Sequence, residues 1–282
     1  MSSVIGRKKD KGGHKGRGLK AFAALVLLLT LFWAFENFTF HINEATVKSD
    51  KVTEKIKIAL LSDLHGAVYG KDNSILYKAV EKKSPDLIFV TGDMYSSTSP
   101  GTSVRVEEFI ASLTDIAPVY FVPGEHDNND DFMRSLAEDG VNVITYKTEA
   151  ITVNGNDVSI YGIDNVYFGS NFDLKREFTL DKNRLNLLLA HIPNKKAYKK
   201  FGVDMAFCGD THGGMIQLPI IGPVVFDGEF FSELRGNSEE ITDKGLFDYG
   251  DFKMYVSAGL GNFPVALRFF NRPELDIITI EP

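Results

Sequence analysis

The chain has 282 residues, of which 44% are hydrophobic and 24% charged, so it is long enough to bury a sizeable core. Its single cysteine, Cys208, excludes an internal disulfide framework and a cysteine zinc cluster. Residues 1–20 hold seven basic side chains and one acidic one, so of the net charge of −7 the rest of the chain carries −13; this acidic body argues against nucleic acid as a partner.

An uncharged apolar run extends from Ala21 to Phe35, directly after the basic residues. As a helix it is about 22 Å long, against a hydrocarbon core of roughly 30 Å, and the flanking residues lengthen it. We expect a basic cytoplasmic tail over 1–20, a single-pass cell-membrane anchor over 21–40, and the rest of the chain outside the cytoplasm, because positive residues precede the run. A cleaved signal peptide is the alternative, although no clear small-x-small site follows the run.

Residues 41–54 read as a polar tether, and one domain is expected over 55–282. Strand patterns over 55–63, 86–93 and 118–124 alternate with helical patterns over 73–83, 104–113 and 130–138. This order predicts a parallel sheet with right-handed crossovers. The second half holds mostly strands, with a hairpin signal, NGND, at 154–157. The prediction is an α/β fold in which two packed mixed β-sheets are flanked by helices.

Carboxylates and imidazoles follow five of the predicted strands, at the point where each strand ends. These residues are Asp63, His65, Asp93, Glu125, His126, His191, Asp210 and His212. In open α/β sheets ligands gather at the carboxyl ends of the strands, and this mixture of side chains suits divalent Mn, Fe or Zn. Four of the six histidines lie at these strand ends. Histidines scattered through the core or over the surface would not be sorted in this way.

The order Asp-x-His, Gly-Asp, Gly-x-His-Asp, His and Gly-x-Thr-His-Gly-Gly resembles the calcineurin-like metallophosphoesterases, from about Lys55 to the C-terminus. The ending MYVSAGLGNFPVALRFFNRPELDIITI is similar to a membrane-associated bacterial branch that includes enzymes hydrolysing UDP-2,3-diacylglucosamine. The resemblance implies a four-layer α/β/β/α sandwich with two divalent metal ions, Mn being favoured and Fe, Mg or Zn being alternatives.

The resemblance also implies a role for each site residue. Asp63, His65 and His212 would hold the first metal, Asp93 would bridge both, and Glu125, His191 and Asp210 would hold the second. His126 would be the general acid for the leaving oxygen, and attack would come from a metal-activated water.

Two positions depart from the family pattern, which usually has Asn at position 125 and His at position 210. Glu125 and Asp210 bring the site to four carboxylates, so two divalent ions would leave a formally neutral centre. A neutral centre attracts phosphate less, and the added carboxylate oxygens shift the metal preference away from Zn toward Mn, Mg or trivalent iron. We therefore expect either an altered metal preference or weakened catalysis.

Two further features concern the substrate. Arg268 is a candidate contact for an anionic substrate group. The aromatic residues Phe226, Phe230, Phe231, Phe263, Phe269 and Phe270 are candidates for an apolar entrance facing the membrane, although core packing explains most of them equally well.

The sequence thus favours a membrane-anchored dinuclear-metal phosphoesterase that acts on a phosphodiester or pyrophosphate bond of a small or lipid-linked phosphate compound. The alternative is a catalytically reduced relative that binds metal or phosphate ligands without efficient turnover. A nuclease is disfavoured by the acidic body.

Overall fold

The computed structural model describes residues 12–96, 102–164, 173–226, 229–230 and 242–282. The helices are α1 Gly12–Phe38, α2 Ser74–Lys83, α3 Thr102–Ser112, α4 Asp130–Glu138, α5 Leu174–Glu177 and α6 Lys195–Phe201. The first eight strands are β1 His41–Lys48, β2 Ile56–Leu61, β3 Leu87–Val90, β4 Val119–Phe121, β5 Asn142–Val143, β6 Lys147–Val153, β7 Asn156–Gly162 and β8 Leu185–Leu189. The others are β9 Met205–Cys208, β10 Gln217–Leu218, β11 Gly222–Pro223, β12 Val225–Phe226, β13 Glu229–Phe230, β14 Gly245–Asp248, β15 Lys253–Val256 and β16 Glu274–Glu281.

Two six-stranded mixed sheets form the centre of the domain. The first has the order β1-β16-β2-β3-β4-β5, and β2 to β5 run parallel as predicted. The second has the order β14-β15-β9-β8-β7-β6, with an antiparallel strand at each edge. The predicted hairpin is confirmed, because β6 and β7 pair antiparallel around Asn154 and Gly155, both with positive φ.

Alternating side chains of the strands divide the core into layers. In β2, Ile56, Ile58 and Leu60 face the second sheet, whereas Ala59 and Leu61 face the helices on the outer side. Each fully buried Ile or Leu contributes about 1.5–3 kcal/mol. Helices α2, α3 and α4 cover the first sheet, and α5 and α6 cover the second. The predicted α/β/β/α sandwich is therefore confirmed.

The segment predicted as a polar tether over 41–54 is corrected by the structure. Residues His41–Lys48 form β1, the edge strand of the first sheet, and pair in parallel with β16 at the other end of the chain. Its polar residues reflect its place at the edge, where one side of the strand meets solvent. Only Thr39 and Phe40 separate β1 from α1.

Helix α1 contains the predicted apolar run. Arg17–Phe38 is long and apolar enough to cross a membrane, and its most apolar 18-residue stretch is not buried inside the protein. A membrane span and a signal sequence both satisfy that description. The end of α1 differs from the rest of the helix, because Glu36 and Asn37 are buried against residues of the 262–271 loop.

Candidate metal centre

The carboxyl ends of five strands bring the predicted acidic and imidazole side chains together. Asp63 and His65 follow β2, Asp93 follows β3, His126 follows β4, His191 follows β8, and Asp210 and His212 follow β9. Each strand ends against the buried inter-sheet core, so the first polar residues after it lie at one common rim.

Three overlapping groups of ligand atoms at this rim could each hold a metal ion. They are Asp63, His65 and His212; Asp63, Asp93 and His191; and His65, Asp93 and His126, with the atoms of each group within 4.8 Å of one another. The Nε2 atoms of His65 and His212 face each other at 3.3 Å. Because the groups share Asp63 and Asp93, the rim offers adjoining rather than separate positions.

The environment of His191 tests whether these residues fit a cation. Its Nδ1 lies 2.7 Å from the carbonyl oxygen of Thr91, so Nδ1 carries the proton and Nε2 faces the centre. Nε2 lies 3.4 Å from Asp93 Oδ2, 3.6 Å from Asp210 Oδ1 and 3.9 Å from Asp63 Oδ1. A neutral imidazole would point its lone pair at three carboxylates, so the position requires positive charge, which a divalent cation supplies.

The pKa values of the buried groups also indicate that this position requires positive charge. Burial raises the pKa of Asp63 to about 7, and the neighbouring carboxylates add to this shift. Burial opposes the charged form of His191, but Asp93, Asp63 and Asp210 outweigh it and raise its pKa to about 10. Burial also opposes ionisation of Asp93, yet the hydrogen bond and charge of His191 lower its pKa to about 2. A bound cation would replace the proton on His191.

Backbone strain is concentrated at the same residues. Asp63, His65, Asp93, Asp210 and His212 all have φ between 46° and 72°. Residues other than glycine rarely adopt this conformation, which costs of the order of 1–3 kcal/mol each and collects at functional sites. The strain turns each side chain toward the rim immediately after its strand.

Two glycines allow this close packing. A Cβ atom on Gly124 would lie 2.1 Å from Asp93 Oδ1, and one on Gly209 would lie 2.4 Å from Asp63 Oδ2. Both positions therefore exclude any side chain, because the carboxylates, and at Gly209 also Ser62 Oγ at 1.9 Å, occupy that space.

Asp210 and Glu125, the two residues that depart from the expected ligand pattern, are more exposed than the other residues of the centre. Asp210 is at the rim: its backbone N–H donates to Asp63 Oδ2 at 3.1 Å, and burial raises the pKa of its half-exposed side chain. Glu125 is exposed and belongs to none of the three groups, although its charge also raises the pKa of Asp210.

His126 lies at the open side of the rim. Its backbone N–H donates to Asp93 Oδ1 at 2.9 Å, and its half-exposed ring packs 4.4 Å from the ring of Phe263. Phe263 also stacks on His65, with 4.6 Å between the ring centroids. The neighbouring Asp127 is buried and accepts from the backbone N–H groups of Gly124 and Met94 at 2.7 Å, so it joins two of the ligand loops.

The structure corrects the interpretation of Arg268 as a substrate contact. Arg268 is 1% exposed, and its guanidinium donates to the carbonyl oxygens of Gly261, Ala258 and Asn271. These bonds use the guanidinium to hold the loop that follows β15. Of the predicted aromatic entrance, Phe231 and the side chains of Phe226 and Phe230 lie outside the described residues.

Two contacts to the centre were not anticipated. The carbonyl oxygen of Thr91 orients His191, and Asn271 Nδ2 donates to the carbonyl oxygen of His212 at 2.7 Å. Neither has a signal in the sequence, because any residue supplies a carbonyl and Asn271 is 59 residues from His212.

The family model for calcineurin-like phosphoesterases matches residues 56–214, which is more than half of the chain and includes every strand end described above. The chain belongs to the calcineurin-like phosphoesterase family. As a member of that family, the chain is a metal-dependent phosphoesterase, an enzyme that hydrolyses phosphoric ester or anhydride bonds.

Curated bacterial relatives align with the phosphoesterase over most of their length. The uncharacterized metallophosphoesterase YkuE of Bacillus subtilis is 27% identical over 256 residues, covering 84% of each chain. The uncharacterized protein YpbG of the same organism is 27% identical over 251 residues, covering 85% of this chain and 87% of the relative. The phosphodiesterase YaeI of Escherichia coli is 25% identical over 234 residues, covering 79% and 82%.

Proposed function

We propose that the phosphoesterase binds two divalent cations and hydrolyses a phosphodiester or pyrophosphate bond of a small or lipid-linked compound beside a membrane. The observation that carries the proposal is the pair of adjoining ligand groups, Asp63 with His65 and His212, and Asp63 with Asp93 and His191. Asp93 also reaches both His65 and His191, which supports a bridging role for it. Two bound cations supply positive charge to the phosphoryl oxygens and make water more acidic.

The protein's own groups divide the remaining work. His126 is the general acid, because its ring is at the open side of the rim and its backbone is fixed on Asp93. Asp210 completes the second position beside His191, and Glu125 can join it only by turning inward from the surface. The four carboxylates favour Mn, with Fe, Mg or Zn as alternatives.

A cavity of about 620 Å³ next to Asp210 gives the substrate room. Its lining includes Lys195, Lys196, Thr211 and Val225. A mixed basic and apolar lining suits an anionic compound with a sizeable group attached to its phosphate. This lining, together with the similarity of the C-terminal segment to the membrane-associated branch, supports a nucleotide-sugar or lipid-linked substrate.

The contacts at the end of α1 support an uncleaved anchor rather than a signal peptide. Asn37 is 1% exposed, and its side chain exchanges two hydrogen bonds with the backbone of Arg268, at 2.8 and 3.0 Å. Glu36 Oε2 accepts from the backbone N–H of Asn271 at 3.2 Å. Removal of α1 would leave these buried groups unpaired, at a cost of about 1–3 kcal/mol each. We place the N-terminus in the cytoplasm and the enzyme domain outside.

The proposal is tested with the full chain in detergent, supplied with Mn²⁺ and a p-nitrophenyl phosphodiester. Loss of a residue that merely orients a metal ligand costs about 10–100-fold in affinity or activity, so Asp63→Asn, which alters a residue of both groups itself, should lower kcat/KM by at least about 100-fold. Asp139→Asn, an exposed carboxylate at the end of α4, is the control and should be unchanged. Equal activity in both variants would contradict the enzyme role of the centre.

A catalytically reduced relative is the second candidate, and the exposed position of Glu125 favours it. Metal analysis separates the two functions. Two metal ions per chain with turnover in the native sequence support the enzyme. One metal ion per chain, with turnover appearing only in the Glu125→Asn/Asp210→His double variant, supports the reduced relative.

A further inference from the structure

The segment Pro264–Phe270, here called the apolar rim, exposes only apolar side chains. Val265 is 57% exposed, Leu267 52%, Phe269 40% and Phe270 50%. The one charged residue in the segment, Arg268, points inward and is held by backbone carbonyls. Soluble surfaces rarely carry such a contiguous apolar patch without a partner.

A neighbouring turn extends the rim. Ile220, between β10 and β11, is fully exposed and has a φ of 75°. A β-branched residue with positive φ is an outlier that costs stability, so its exposure at a turn tip needs another reason. The turn is joined to the rim, because Gln217 donates its backbone N–H to the carbonyl oxygen of Phe269 at 2.9 Å.

The rim is in direct contact with α1. The ring of Phe32 packs against those of Phe269 and Phe270, at centroid distances of 5.6 and 5.7 Å. Trp33 Nε1 donates to the carbonyl oxygen of Ala266 at 3.0 Å. Phe32 precedes the end of the candidate span, Phe38, by six residues, which is about 9 Å along a helix.

This geometry fixes the height of the rim relative to a bilayer. Arg17–Phe38 as a helix is about 33 Å long, close to the roughly 30 Å hydrocarbon core. Residues that pack beside Phe32 are then level with the outer part of the hydrocarbon region. The domain cannot move away from this level, because only two residues separate α1 from β1 and Asn37 is bonded to Arg268.

We propose that the apolar rim and Ile220 insert into the bilayer beside α1, so that the enzyme domain rests on the membrane in a fixed orientation. The occupant of this surface is lipid. The apolar rim lies next to the metal centre, because Phe263, the residue directly before this segment, stacks on His65. An enzyme held this way meets substrates whose phosphate lies at the membrane surface. The inference rests on the anchor in the proposed function.

The test places a fluorescent label at single positions in the full chain, reconstituted in vesicles of phosphatidylcholine and phosphatidylglycerol. Cys208 is buried, so an introduced cysteine is labelled selectively. The variants are Leu267→Cys and Val265→Cys in the rim, Val26→Cys in the middle of α1, and Thr148→Cys on the exposed face of β6 as the control. Two rim positions guard against a single variant that fails to fold.

Nitroxide-labelled lipid should reduce the fluorescence of the rim and α1 labels, and iodide in the water should reduce only that of Thr148→Cys. Rim labels quenched by iodide while Val26→Cys is quenched by lipid would overturn the inference and leave the anchor intact. Rim labels shielded from both quenchers would also overturn it, because a protein surface rather than lipid would then cover the rim. A Val26→Cys label that lipid does not quench would instead contradict the anchor itself.

Discussion

Arg268 shows how a charged side chain can serve a site without touching its substrate. It is close enough to the centre for its charge to lower the pKa values of His65 and His212, after the larger effect of burial on each. Burial lowers its own pKa to about 10, so it stays protonated at neutral pH. Its hydrogen bonds go to carbonyl oxygens on both sides of the 262–267 segment, so its role is to shape the loop.

We expect Arg268→Met to destabilise the protein rather than to weaken substrate binding. The substitution leaves at least two buried carbonyl oxygens without a donor, a loss of about 2–3 kcal/mol. Thermal unfolding of the full chain in detergent should show a Tm about 5 °C lower. Arg105→Met, at an exposed position on α3, serves as the control. A raised KM with an unchanged Tm would restore the interpretation as a substrate contact.

The residues that gather at the strand ends could be predicted from the sequence, whereas the residues that orient them could not. Asp63, Asp93 and His191 follow buried strands directly, and parallel strands bring their ends together. Arg268 and Asn271 act through backbone atoms of loops far away in sequence. A pattern of residue types contains no information about such contacts. The left-handed backbone at these residues could not be predicted either, because Asp and His adopt it more often than most residues but still only at a minority of positions.

At the scale of elements, the end of α1 is built into the enzyme domain. Asn37 pairs with Arg268 through both its amide oxygen and its amide nitrogen, as a neighbouring strand would. Asn262 Nδ2 donates to the carbonyl oxygen of Asn37 at 2.7 Å. The segment that carries Phe263 is therefore held at both ends, and the end of α1 positions a ring that packs on the centre.

Replacement of Asn37 by alanine should loosen this loop. It removes two buried hydrogen bonds to Arg268, worth about 1–3 kcal/mol together. Hydrogen exchange followed by mass spectrometry should show faster exchange in a peptide covering 262–271, together with a lower kcat for the phosphodiester. Thr30→Ala, at an exposed position on the same helix, should change neither. Unchanged exchange in Asn37→Ala would mean that Arg268 alone holds the loop.

The parallel strands and their helices were predictable because each carries its own apolar period, but β1 was not. It is an edge strand with polar residues, and its partner β16 lies at the opposite end of the chain. Strand pairing at that distance leaves no local signal, so the local pattern of residues 41–54 predicts a polar tether instead of a strand.

At the scale of the whole molecule, a buried polar network joins the two sheets. Asp276 on β16 accepts from the hydroxyl of Tyr255 on β15 at 2.7 Å, and Asn43 on β1 donates to that same hydroxyl oxygen at 2.7 Å. Burial, together with the charge of Glu274, raises the pKa of Asp276 well above its usual range. The folded protein therefore holds a proton on Asp276 to higher pH than the unfolded chain, which releases it above about pH 4.

This proton makes stability fall as pH rises. The raised pKa contributes its full stabilisation below the unfolded value near 4 and loses it toward the folded pKa, at about 1.4 kcal/mol per pH unit. An amide resembles the protonated acid, so Asp276→Asn should unfold with a smaller pH dependence. Denaturant unfolding in detergent should show that the free energy of unfolding falls less between pH 5 and pH 7 for the variant than for the wild type. Parallel pH profiles for the two proteins would contradict a protonated Asp276.

The position of β16 between β1 and β2 also determines when the domain can finish folding. Asn43 and Asp276 are neighbours across 233 residues of chain, so the central sheet stays incomplete until the last strand has been synthesised. Until then β1 has no partner, and one edge of β2 is open to other chains. Contacts this distant in sequence form slowly. A newly made chain would thus carry an uncovered sheet edge until β16 is in place, and this is the stage at which we expect it to depend on chaperones.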